Sequence, residues 1–317
     1  MRIYILFSLF LLFSSFVVQA EGSYEVALID DDLRKNAHAV SRVHITEVTV
    51  QSEEQVIVKV KKAITVLDEK GLNAAAMAVS YGDWTKILKL EASIYNRYGK
   101  QVARVKSKEF ADISHSGSSL ATNNRRKVYR PSPSNKLGLP FTIEYQYEQK
   151  INGLFSLPRW YPMNGENLSI EFAAFKVNVP QEGYIDHRSK NLDFAVEKGY
   201  HEGYYRYYWE IRSMPPLERE PMSPSFREQM PLVHVTPKTI NIEGYSGSAN
   251  NWQELGEFFY RLNDGRQELP DELKSKVDKI TAGLDDPIEK AEALYRFMQQ
   301  NTRYVSIQLG IGGWQTF

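Results

Sequence analysis

Ser114-His115-Ser116 sets hydroxyls beside an imidazole, the pair from which a serine nucleophile is built. Neighbouring residues point in different directions and the sequence places no acidic partner. Ser114 to Ser119 has the composition of a loop, which is the reading taken. The histidines, His38, His44, His115, His187, His201 and His234, are scattered. No helix presents two of them three or four residues apart, so a zinc site would have to be assembled by the fold. Asp30-Asp31-Asp32 lacks the spaced oxygens and turn glycine of a calcium loop and reads as a solvated segment. Paired carboxylates for glycoside hydrolysis do not stand out among 39 acidic residues. The residues alone therefore assign no catalytic, cofactor-binding or metal-binding position, and no cofactor is expected.

Two clusters could bind without reacting. Arg125-Arg126-Lys127 with Arg130 is a local basic group that reads as a solvated loop, contact with anionic envelope polymers being the sharper alternative. Tyr200, Tyr204, Tyr205, Tyr207, Tyr208 and Trp209, with Trp160 and Tyr161 upstream, could stack on sugar rings or peptide side chains. Tyr205, Tyr207 and Trp209 share one parity and read as core; Tyr204, which starts the strand, and Tyr208 take the opposite parity, so only one face calls for a functional account, and core plus ordinary surface is the reading taken over a binding platform. Lysine plus arginine equals aspartate plus glutamate at 39 each, so no net field draws the chain to nucleic acid or an anionic membrane.

The N-terminus bounds the compartment. Arg2 precedes an apolar run from Ile3 to Val18, then Val18-Gln19-Ala20 and Glu21, the regions of a secretory signal cleaved near Ala20. The run falls short of the ~20 apolar residues a spanning helix needs, and Ser8, Ser14 and Ser15 weaken it further; an uncleaved anchor is the alternative. The expected product is extracytoplasmic, periplasmic or secreted, with no later span. It contains no cysteine, which excludes disulfides, thiolate metal sites and a cysteine nucleophile within these 317 residues.

The elements that must position such side chains are mostly strands. From Val40 to about Tyr245 the apolar period is two. Val56, Val58, Val60, Ile64 and Val66 keep one parity; Leu88, Leu90, Ala92 and Ile94 form another face; Phe141, Ile143, Tyr145 and Tyr147 a third. The apolar parity of Leu168, Ile170 and Phe172 switches before Phe175, Val177 and Val179, which predicts a bulge at Ala173-Ala174. Leu192, Phe194 and Val196 pair with Tyr205 to Ile211 as a hairpin around Lys198 to Gly203. Asn123 to Ser134 and the proline-rich Met214 to Pro231 read as irregular connections. Short strands without intervening helices predict an antiparallel β-sandwich.

After Ser248 the period becomes 3.6. Asn251 and Glu254 make a capping box, with Trp252, Leu255, Phe258, Phe259 and Leu262 on one helical face. A second helix starts at Asp271 with Leu273, Val277 and Ile280 inward. A third starts at Asp286-Pro287, with Glu289 closing its box and Ala291, Leu294, Tyr295 and Met298 inward.

Ala293 to Ile307, with Asn301-Thr302-Arg303-Tyr304, followed by Gly310-Ile311-Gly312-Gly313-Trp314-Gln315, resembles the start of a bacterial transglutaminase-like core, although Thr316 stands where many relatives have proline. Asp31 to Val40, Val66 to Gly71 and, more weakly, Tyr161-Pro162 resemble the β-rich domain of unknown function that commonly precedes such a core. The resemblance implies a papain-like thiol mechanism in a full-length protein, its Gly-Asp-Cys motif lying beyond Phe317.

The expected organisation is a signal peptide at 1–20, an N-terminal segment at 21–39, a β-sandwich-like domain at 40–247 and an incomplete transglutaminase-like α+β domain at 248–317. The expected role is a noncatalytic accessory or recognition domain joined to a truncated transglutaminase-like core. The alternative is a complete noncatalytic envelope protein that binds peptide or glycan.

Overall fold

The computed structural model describes residues 23–114, 120–133, 137–192, 195–308 and 314–315. The signal-like segment, His115 and Ser116, Phe194 and Gly310 to Gly313 lie outside them. The fold is mainly β with few helices. In chain order a one-turn helix α1 (Asp31–Arg34) precedes β1 (Ala39–Ser52), β2 (Gln55–Val66), β3 (Met77–Tyr81), β4 (Thr85–Tyr95) and β5 (Gln101–Lys106). Then come β6 (Ala111–Ser114), β7 (Leu120–Thr122), β8 (Arg125–Tyr129), β9 (Phe141–Asn152), β10 (Leu168–Val179), β11 (Ile185–Lys190), β12 (Glu197–His201) and β13 (Tyr204–Met214). A short α2 (Phe226–Gln229) leads to β14 (Leu232–Pro237), β15 (Thr239–Ile242) and β16 (Tyr245–Ser248). Helices α3 (Trp252–Asn263), α4 (Asp271–Thr281) and α5 (Pro287–Asn301) and the short β17 (Ser306–Gln308) follow.

Eight strands form the main sheet in the order β12-β13-β10-β1-β2-β9-β4-β5. The pairings are antiparallel except one: β1 and β10 run parallel through the middle, from Ala39 beside Leu168 to Thr49 beside Asn178. Periodicity reports which face a residue takes but not which strand lies next to it, so this seam is invisible in the sequence.

One face of the sheet is dry. Val58 and Ile64 of β2, Ile143 and Tyr145 of β9, Ala92 and Ile94 of β4, Phe175 and Val177 of β10, and Tyr207 and Trp209 of β13 share one buried cluster. Smaller sheets cover this face: β3-β8-β6 at one end, whose Val79 joins the cluster, and β11-β14 at the other, with Ile185, Val233 and Val235. Trp160 bridges to β14 through two backbone bonds with Val233 and stacks on Phe175, ring centroids 5.8 Å apart. Phe175 stacks in turn on Trp209 at 5.6 Å. Contacts of this kind add about 1 kcal/mol each beyond burial.

The structure corrects several local expectations. Strand β10 keeps a continuous register with both neighbours, so Ala173-Ala174 is no bulge; the parity switch arises because β10 is central and both alanines are buried. The irregularities lie instead in β1, between Ser41 and Val43 and between Val50 and Ser52, between β4 and β5 at Ile94 and Tyr95, and in β4 between Ile87 and Lys89, where Leu88 is turned out to 54% exposure. The basic group at 125–130 lies largely in strand β8, not in a loop. Arg125 and Lys127 both reach Asp112 on β6, at 2.9 and 3.1 Å. The β12-β13 hairpin turns on Glu202-Gly203 alone, both at positive φ (50° and 83°) as the tight primed turns require, and β12 begins at Glu197.

The helices follow their caps. Asn251 accepts from the Glu254 amide at 3.0 Å, and Pro287 opens α5. Asp286 caps α5 by accepting from the Ile288 amide at 3.1 Å, with no reciprocal bond from Glu289. Phe258 and Leu262 are buried with Ile240 and Ile242 in a second, smaller core. Trp252 is 87% exposed, however, and neither α4 nor α5 has a buried residue; Ala291, Tyr295 and Met298 face outward. No helix among the described residues is long and apolar enough to cross a membrane.

Candidate functional site

The second face of the main sheet is open, and its side chains alternate in charge across the strands. One row follows the ladder from β4 to β12: Lys89, Glu148, Lys59, Glu47, Lys176, Tyr208 and Glu197. Opposite charges set directly across a ladder stabilise a sheet by a few tenths of a kcal/mol per pair, so part of this pattern serves the fold. At the β12 end the face deepens into a groove of about 800 Å3 framed by β1, β10, β12 and β13.

Within the groove most charges are already satisfied. Arg42, 5% exposed, donates from Nε to Glu171. Arg212 donates to both oxygens of Glu210, at 2.8 and 3.2 Å, while its guanidinium lies 4.6 Å from the Phe172 ring centre. The Arg212 bonds and then Tyr208 hold the Glu210 carboxyl below the usual range. Burial, followed by the bond it donates to Glu210 at 2.5 Å, raises the Tyr208 phenol. Lys61 lies 3.3 Å from Glu144, which also accepts from Tyr24 and, at 2.7 Å, from Gln146.

Apart from Lys198, which lies over the core residue Tyr207 at 5.3 Å, two groups are left over. Glu47 accepts from Asn178 at 2.8 Å and faces Arg206 at 3.7 Å, and Arg206 donates to Asn178 at 2.8 Å. This knot draws Glu47 away from Lys176, its neighbour in the row. Lys176 and Glu197 therefore have no hydrogen-bond or ion-pair partner among the described residues, although they flank Tyr208 on the strands to either side. Their backbones are two strand spacings apart, about 10 Å. One free ammonium, one phenol ring and one free carboxylate in line can hold a ligand that carries both charges.

The candidates named from the sequence end elsewhere or in part here. Tyr207 and Trp209 are 2% and 1% exposed and belong to the core, while Tyr208 faces the groove, as parity predicts. His201 lines the groove rim. His187 packs edge-on against Tyr207 and Trp209, burial lowering its pKa. His38 meets Asp68 at 2.7 Å, His44 lies on the core face of β1, and burial lowers His234. Among the described residues no three histidine or carboxylate groups converge to hold a metal. Asp30 caps α1 by accepting from the Asp32 amide at 2.9 Å. Lys176 and Glu197 went unnoticed in the sequence because each occupies an ordinary polar parity position; only the register with Tyr208 distinguishes them.

Known proteins share this fold. A solved structure of a proposed protease from Parabacteroides distasonis is similar, with a TM-score of 0.58 and 15% identity, covering 83% of this chain and 50% of that one. Likeness at that identity concerns the fold. An M1 zinc metallopeptidase from Deinococcus radiodurans overlaps at a TM-score of 0.28 and 9% identity, covering 77% of this chain and 53% of that one, and carries no argument. The chain thus spans about half the length of these structures. No curated protein matches it by sequence. The model of DUF3857, a domain of unknown function, matches residues 53–218, more than half of the sequence, and the chain belongs to that family.

Proposed function

We propose that this chain is an exported, noncatalytic recognition domain that binds short peptide segments in the groove beside Tyr208, and that it serves a transglutaminase-like core. The observation that carries the reading is the Lys176-Tyr208-Glu197 line, two unpaired opposite charges about an aromatic ring in an open groove of about 800 Å3. A ligand bearing a carboxylate and an amine satisfies both ends, whereas a neutral glycan satisfies neither. This favours peptide over glycan as the envelope partner. The accessory role draws support from Ala293 to Gln315, whose residues resemble the opening of such a core.

The test is titration calorimetry with short peptides carrying one acidic and one basic residue. Lys176→Glu and Glu197→Lys should each weaken binding, and the double charge swap should accept the ligand in the reverse orientation. Since the two side chains are exposed or half-buried and unpaired, stability should change by no more than about 0.5 kcal/mol. Undiminished affinity in both single variants would remove the groove from consideration.

A further inference from the structure

A second cleft has a different character. It has a volume of about 710 Å3 and lies where the β3-β4 turn meets the C-terminal segment. Strand β17 pairs in parallel with β7, which carries Ser306 and Ile307 to the turn formed by Gly82, Asp83 and Trp84. The apolar walls are Trp84, Ile151, Ile307 and Trp314.

Both indoles are held in place. Trp84 donates from its ring nitrogen to Glu243 at 2.7 Å. Trp314 stacks on Phe259 with centroids 5.5 Å apart and lies 4.7 Å from Phe155. Tyr245 hydrogen-bonds the adjacent Gln315. The turn itself is fixed at Gly82, which is buried and where an added Cβ would lie 2.5 Å from the Asn124 side-chain oxygen.

Among the described lining residues Asp83 is the one charged side chain. It is exposed, and among the described residues its carboxylate accepts only from the neutral Asn123 amide, at 3.1 and 3.4 Å, with no cation paired to it. The cleft is lined by the two indoles, Ile151 and Ile307, by polar side chains such as Tyr81, Asn124 and Gln149, and by one carboxylate; this lining matches an aliphatic stem that ends in an ammonium, because aromatic faces and carboxylate attract the same sign of charge. We infer that this cleft binds the side chain of a lysine-like residue, a primary amine on an alkyl chain, presented by a peptide. The inference is independent of the groove beside Tyr208, because the two sites share no residue.

The probes are three capped tripeptides, Ala-Lys-Ala, its norleucine isostere and Ala-Glu-Ala, titrated into the whole chain and followed by tryptophan fluorescence and calorimetry. Saturable binding of the lysine peptide, about tenfold tighter than norleucine and with no measurable binding of the glutamate peptide, is the expected result. Asp83→Asn, a surface change, should reduce lysine to the norleucine level without altering the circular dichroism. Equal affinity for lysine and norleucine, lysine preference that survives Asp83→Asn, or no saturable lysine binding would each overturn the assignment.

Discussion

Lys62 and His44 stand opposite each other on β2 and β1, on the dry face of the sheet. Lys62 is 8% exposed, and its ammonium has no hydrogen-bond or ion-pair partner among the described residues. Burial lowers its pKa from 10.5 to about 8. Burial, then the neighbouring Lys62 charge, lowers His44 from 6.5 to about 3, partly opposed by its contact with the Pro162 carbonyl at 3.4 Å. Both are bases whose charged forms the fold disfavours, so each costs stability once protonated and the cost is relieved as pH rises. For Lys62 the window runs from about pH 8 to 10.5. Unfolding free energy should gain up to about 3 kcal/mol across it, and Lys62→Met should raise Tm at pH 7 and flatten that rise. For His44 stability should fall as pH drops from 6.5 towards 3, by something on the order of 4 kcal/mol, and His44→Gln should remove that part of the acid sensitivity. Urea denaturation at a series of pH values checks both; identical profiles in variant and parent would refute the assignment. Gly71 makes a separate case. An added Cβ there would lie 2.1 Å from the His38 carbonyl oxygen, which is backbone and cannot swing away. Gly71→Ala should cost about 2 kcal/mol or more in the same measurement.

Among the elements, β4 shows how a bulge overrides a hydrophobic pattern. Leu88 and Leu90 share a parity in the sequence, yet the irregularity between Ile87 and Lys89 leaves Leu88 54% exposed and Leu90 5%. Leu90→Ala should cost about 2–4 kcal/mol and Leu88→Ala within about 0.5 kcal/mol, read from urea midpoints; equal losses would contradict the register. The same logic explains what the sequence disclosed. Alternation identified β2, β9 and β13 and sorted Trp209 from Tyr208, because each of those strands keeps its large apolar residues on one face, even where Thr65 and Thr142 on the other are also buried. It misread β10, where central position buries residues on both faces, and β8, whose arginines and lysine resemble a loop until Asp112 is seen across the sheet. Helix caps were legible as local hydrogen-bond chemistry. The inward faces of α3 and α5 were not, since Trp252 and Tyr295 satisfy the helical period without meeting a partner. The groove stayed hidden for a related reason: Lys176, Tyr208 and Glu197 come from three strands, and only register lines them up.

The molecule as a whole is unevenly secured. The main sheet and its covering layers share one extensive core, whereas α4 and α5 bury no residue and touch each other through contacts such as Lys276 over the Phe297 ring at 4.6 Å. Amide hydrogen exchange should therefore be slowest in β1, β2, β9 and β10 and orders of magnitude faster in α4 and α5; comparable protection would show the helices to be held in some other way. The parallel seam between β1 and β10 has a further implication. Among the described residues, strand β1 is the only link in the main sheet between a wing built from β2, β9, β4 and β5 and one built from β10, β13 and β12. The family match begins at residue 53, just after β1 ends. A polypeptide trimmed to that match would keep both wings but lose the zipper between them. The physical folding unit is thus larger than the stretch by which the family is recognised, and any attempt to transplant this domain must take the strand in front of it as well.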